Sequence, residues 1–101
     1  MTTPTIPFRE SFREALLSGR KTATSRTSQY GEQGRQFQAF GVLFEFTFVE
    51  RRLLAEIASH HYKAEGCASP DEFIRVWNEI HPRKRFDPLT VVWYHEFKLV
   101  S

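Results

Sequence analysis

The chain has 101 residues, a length that fits one domain and makes two implausible. It is 41% hydrophobic and 15% aromatic, with ten Phe, which supplies enough apolar surface to offset the entropy of folding and excludes a disordered protein. Its formal net charge of +2 excludes a protein held to nucleic acid mainly by neutralising phosphates.

From Phe8 to Leu17 the apolar positions Phe8, Phe12, Ala15 and Leu16 follow helical spacing, with Pro7 ahead and Gly19 behind as start and stop signals. The β-branched run Thr22–Thr27 predicts a short strand, and YGEQG a turn. Phe37 and Ala39, then Val42, Phe44, Phe46 and Phe48, alternate with their neighbours as two strands with one buried face. Leu53, Leu54, Ile57 and Ala58 return to helical spacing, ending towards Gly66. In SPDEF, Ser69 caps, Pro70 takes the first helical position and Glu72 completes a capping box; Phe73, Val76, Trp77 and Ile80 give that helix its stripe and Pro82 stops it. After the PRKRFDP loop, Val91, Trp93, His95, Phe97 and Leu99 share one face of a last strand. The order is helix, three strands, two helices, strand. So few strands cover their Phe-rich faces only by curling, which predicts an α+β domain spanning residues 1–101: a small, mixed, partly closed β-barrel with helices packed against it.

No apolar run approaches the roughly 18 residues of a bilayer span, and MTTPTIPFRE lacks the apolar stretch of a signal peptide, so a cytoplasmic protein without a membrane partner is expected. The single Cys67 agrees with a reducing compartment. Residues 1–30 carry five basic groups against two acidic, and residues 53–81 two basic against five acidic, so the two segments are expected to attract each other or to frame a cleft.

The densest group of reactive side chains is GRKTATSR, Gly19–Arg26, with one lysine, two arginines and three hydroxyls where a helix hands over to a strand. A partly desolvated lysine loses its proton near neutral pH and serves as a base towards a hydroxyl, which makes Lys21 and Thr24 a candidate pair. On one flat strand they would point to opposite faces, so their meeting requires Lys21 to lie in the turn before the strand. The alternative is a solvated turn. Glu65, in the small-residue turn AEGCAS, is a free carboxylate candidate or an ordinary surface one. Cys67 reads as a small buried hydrophobe. His60, His61, His81 and His95 lack metal-ligand spacing, so no metal is expected; His95, among Trp93 and Phe97, is either a hydrogen-bonded core group or a pocket group under an aromatic ligand. Arg83, Lys84, Arg85 and Phe86 offer phosphate contacts and a stacking ring, or simply a solvated loop.

The chain resembles the ASCH domain family, a branch of the PUA-like barrels with the signature GxKxxExR after an N-terminal helix: Gly19, Lys21 and Arg26 match it, and Thr24 stands where the general pattern has Glu. That departure is similar to the branch that includes the small bacterial N4-acetylcytidine amidohydrolases, with their GRKTxTxR motif. The resemblance runs through FREALLSGRKTATSR, YGEQG, EGCASPDEFIRVW and VVWYHEFKLV. It implies a cofactor-free hydrolysis of the amide on the exocyclic nitrogen of cytosine in a small nucleoside substrate. Lys21, Thr24 and Glu65 would be the catalytic groups, and Arg26 a substrate-binding residue by its place in the motif. The alternative it implies is a non-catalytic module that binds RNA, since PUA-like barrels often do.

Overall fold

The structure, a computed structural model, describes residues 3–100. In chain order the elements are a 3₁₀ turn (Glu10–Phe12), α1 (Arg13–Leu17), β1 (Ala23–Arg26), β2 (Gln36–Ala39), β3 (Val42–Leu53), α2 (Leu54–His60), α3 (Pro70–Ile80) and β4 (Val91–Leu99). The first helix is shorter than its apolar spacing predicts. Arg9 is extended at its start, and Phe8 packs its ring against Phe37 and Phe97 from outside any helix.

The strands form one curled sheet in the order β1-β4-β3-β2, paired antiparallel throughout. The one parallel pairing among the described residues is an isolated bridge from Thr5 to Gln38, so the expected mixed character is confined to it. That bridge lays the N-terminal segment along the outer edge of β2, with Ile6 N–H donating to Gln38 O and Gln38 N–H to Pro4 O. β2 and β3 are joined by a two-residue turn, Phe40 and Gly41, both at positive φ (52° and 74°), the twist that a tight antiparallel hairpin requires.

The sequence alternation predicts one buried face for β3; the structure divides it. The register slips between Phe46 and Phe48, and the extra residue reverses the phase of the strand. Phe44 and Phe46 therefore enter a core with Ile6, Leu16, Phe37 and Phe97, whereas Phe48 packs on the opposite side against Leu54, Ile57, Val92 and Tyr94. The central strand β4 is likewise buried on both faces, with Val92 and Tyr94 in one core and Phe97 in the other. Of the expected β4 face, Val91 and Leu99 are exposed.

α3 begins at the predicted cap, Ser69 Oγ accepting from Glu72 N–H at 3.1 Å with Pro70 at its first position, but the capping box is not closed as expected: Glu72 Oε1 accepts from Ala68 N–H at 3.4 Å, one residue before the cap. Phe73 and Trp77 are buried, while Val76 and Ile80 face a cavity between α3 and the N-terminal segment. Among the described residues no helix is long and apolar enough to cross a membrane.

Phe37 is fully buried, with ring centroids of Phe46, Phe44 and Phe97 at 4.6, 5.2 and 5.4 Å. Phe37→Ala leaves a void that these stiff neighbours fill only in part, so urea denaturation is expected to show a loss of roughly 3–5 kcal/mol. Leu89→Ala, at a side chain that is 76% exposed, is expected to stay within about 0.5 kcal/mol of the parent.

Candidate functional site

α1 stops at Leu17 and Gly19 turns the chain through φ +81°, so Lys21 lies ahead of β1, as its meeting with Thr24 requires. The turn between α2 and α3 then closes over it. Thr22 and Ala23 N–H both donate to Ala64 O, at 2.7 and 2.9 Å, which brings Glu65 and Gly66 onto the lysine. Gly66 has φ +90°, and a Cβ there would stand 3.1 Å from Lys21 Cβ, so both its backbone conformation and the close packing call for glycine.

Lys21 is 3% exposed. Its Nζ donates to the main-chain oxygen of Glu65 at 2.6 Å, lies 3.5 Å from Glu65 Oε1 and stands 4.5 Å from the centre of the Phe12 ring. Burial pushes its pKa below the ordinary lysine range; the Glu65 carboxylate opposes the shift and the Arg26 charge adds to it.

β1 is an edge strand, and its alternation sends Thr24 and Arg26 to one face and Ser25 to the other. Arg26 Nε donates to Thr24 Oγ1 at 2.9 Å and its Nη2 to Pro7 O at 2.8 Å. Its guanidinium is held between the Phe8 and Tyr30 rings, 4.7 and 5.0 Å from their centres. Ser25 Oγ donates to Glu65 Oε2 at 2.6 Å. Lys21, Thr24, Ser25, Arg26 and Glu65 all line one cavity of about 410 Å³. Within it Lys21 is hydrogen-bonded to Glu65 and not to Thr24. The Thr24 oxygen accepts from Arg26, which leaves its own proton free to be donated.

Aromatic rings make up much of the remaining lining, Phe8, Phe12, Tyr30, Phe73 and Trp77, beside the aliphatic Val76 and Ile80. Arg9 of the N-terminal segment pairs with Glu79 of α3 at 3.0 Å. The basic first segment and the acidic later one thus both attract and frame a cleft, through Arg9–Glu79 at its rim and Lys21–Glu65 at its floor. Tyr30, expected only as part of a turn, and Trp77, expected only in the buried stripe of α3, are both cavity-wall residues. Among the described residues the buried indole N–H of Trp77 finds no hydrogen-bond partner.

Cys67 is buried, and burial raises its thiol to about 11, which keeps it protonated as a small core side chain. His95 is fully buried and joins two segments, its Nε2 accepting from Tyr30 N–H at 3.1 Å and its Nδ1–H donating to Thr24 O at 3.2 Å. These bonds fix the proton on Nδ1 and make His95 a core group that supports β1 from behind. Burial lowers its pKa, which favours the neutral ring. Among the described residues no three His, Cys, Asp or Glu side chains cluster as metal ligands. Phe86 is half-buried and packs on the core, with its N–H bonded to Asn78 Oδ1 at 2.6 Å, whereas Arg83, Lys84 and Arg85 are exposed.

A curled antiparallel sheet with helices packed on it, and a buried amine and carboxylate at its free edge, define a small α+β half-barrel domain. The sequence matches no family model and no curated protein. Among solved structures, an Enterococcus faecalis protein described under the family name DUF984 has a TM-score of 0.75 at 22% identity, over 99% of this chain and 82% of that one. An ASCH domain from Lactobacillus crispatus has a TM-score of 0.64 at 14% identity, over 96% of this chain and 77% of the other. The fold is that of an ASCH domain.

Lys21 is expected to titrate below the usual lysine value of about 10.4 when followed by NMR of its side chain. Glu65→Gln, which removes the carboxylate opposing burial, moves it lower still. Between the folded and unfolded pKa values the unfolded chain binds the extra proton, so the contribution of Lys21 to stability improves as pH rises through that window. Lys21→Met should flatten that part of the stability profile, and a parental titration at the ordinary value would contradict the burial argument.

Proposed function

We propose that the chain is a hydrolase of the ASCH amidohydrolase branch that removes the acyl group from N4-acylated cytosine nucleosides, N4-acetylcytidine being the reference substrate. The observation that carries this reading is the convergence of a desolvated amine, a proton-bearing hydroxyl and a carboxylate on one cavity, from Lys21, Thr24 and Glu65. Neutral Lys21 takes the proton of Thr24 as the hydroxyl oxygen attacks the acyl carbonyl. The tetrahedral intermediate expels the amine, which leaves with that proton, delivered from the Lys21 ammonium or through Glu65. A water then attacks the acyl-threonine ester, with Lys21 again as base, releasing the carboxylic acid and restoring the Thr24 hydroxyl. Contact between Lys21 and Thr24 tightens when substrate fills the cavity, as such bonds often do. Arg26 serves this chemistry by holding Thr24 Oγ1, and its position in the cavity wall supports a second role in binding the substrate. The flat aromatic walls suit a planar base.

The test is incubation with N4-acetylcytidine and chromatographic detection of cytidine. Thr24→Val keeps the β-branched shape and removes the nucleophile, so turnover is expected to vanish in a folded protein, while Thr24→Ser retains part of it. Lys21→Met should cost about 10²–10⁴-fold. A folded Thr24→Val variant with the parental rate would overturn the assignment.

The exposed run Arg83–Arg85, just beyond His81 in the cavity wall, favours a second reading as an RNA-binding module. Neutralising all three is expected to weaken RNA binding and flatten its salt dependence if RNA is the ligand, and to leave nucleoside turnover unchanged if the first reading holds. Measuring both in one triple variant separates the two.

A further inference from the structure

The Lys21–Glu65 contact is an ion pair left open. Nζ stands 3.5 Å from Oε1, beyond the 2.7–2.9 Å of a charge-assisted hydrogen bond, although both groups are buried and attraction in a dry site is strong. Something restrains the carboxylate. Its other oxygen is tied at 2.6 Å to Ser25 Oγ, the one side-chain hydrogen bond it makes among the described residues. Ser25 is itself buried, and it sits on rigid β1 backbone paired with Tyr94 of β4. The strand that presents Thr24 on one face thus anchors Glu65 from the other.

We propose that Ser25 is a positioning residue that holds the Glu65 carboxylate off Lys21, so that the buried amine and carboxylate do not close into a tight ion pair. This rests on the reading of Lys21 as the base. A closed pair would fasten the proton to the amine and leave it unable to accept one from Thr24. The charged and titratable groups around Glu65 are Lys21 and Arg26 from the β1 side, Cys67 in its own turn, and Tyr94 and His95 from β4. Of these, Lys21 is the one that forms an ion pair with the carboxylate.

In Ser25→Ala the carboxylate is free to swing onto Nζ. At neutral pH kcat is expected to fall roughly ten- to a hundredfold with KM little changed. The acid limb of the rate profile moves to higher pH, so the rate recovers as pH is raised. Ser25→Thr, which keeps the hydroxyl, restores the parental profile. A lesion that merely loosened the fold would lower the rate at every pH. NMR titration of Lys21 without substrate gives a readout independent of turnover: its midpoint rises in Ser25→Ala, the opposite of the shift expected in Glu65→Gln. If the parent does not hydrolyse N4-acetylcytidine, the functional reading fails while this titration still decides the role of Ser25. Should Ser25→Ala not fold, Ser25→Cys, close in size and a weaker donor, takes its place. An unmoved Lys21 midpoint in a folded variant overturns the proposal.

Discussion

Burying the Lys21 amine constrains everything around it. An ammonium removed from water carries a desolvation penalty of several kcal/mol even after the protein relaxes, and the chain answers it with partners brought from 44 residues away: a main-chain oxygen at 2.6 Å and a carboxylate beyond it. Those partners come from a turn, so the turn must be fixed. Ala64 O receives two N–H groups from the start of β1, and Gly66 lets the backbone pass against the lysine stem. The balance still falls on the side of desolvation, which holds the Lys21 pKa below the ordinary lysine range.

This arrangement needs an open sheet edge. β1 pairs with β4 along one side only, so its other side is free to take the α2–α3 turn at its first residues and to face the cavity at Thr24 and Ser25. An unprotected edge invites pairing with other chains, and here short length, the turn and the charged Arg26 cover it. The opposite wall is held by contacts of another kind. Arg26 ties the N-terminal segment through Pro7 O, and Arg9 reaches Glu79 on α3. The Arg9–Glu79 pair is more than 40% exposed on both sides, so it contributes little to stability and mainly sets where the segment lies. The aromatic stack of Phe8, Arg26 and Tyr30 gives that wall its rigidity.

Much of this was legible in the sequence because the signals were local. Ser69-Pro70 fixed the start of α3, Gly19 separated Lys21 from the strand, and the Phe alternation announced the sheet. What was not legible depends on register or on distance. A single slipped residue between Phe46 and Phe48 reverses which core each later side chain joins, and alternating apolar and small residues carry no mark of it. Burial of both faces of β4 follows from its central place in the sheet, which no period of two reveals. In the site, Lys21, Thr24 and Arg26 were recognisable as a group, but nothing in the sequence gives Ser25 a role apart from being one of three hydroxyls in the run. Its hydrogen bond to Glu65 exists only once a turn forty residues on has folded back.

The substitution at position 24 acquires a physical meaning in this setting. A Glu there, as in the general ASCH pattern, would stand on the same face as Arg26 and within the cavity that Lys21 lines, adding a second carboxylate to the first. Two negative charges beside a buried amine favour its protonated form, and Arg26 would be drawn into an ion pair with the nearer of them. With Thr24 in place, Arg26 Nε binds a neutral oxygen and Glu65 remains the one carboxylate paired with the lysine, held at 3.5 Å. Exchanging Glu for Thr therefore does two things at once. It removes a charge that would raise the Lys21 pKa, and it sets a hydroxyl, bonded to a guanidinium, in the space that charge would have filled.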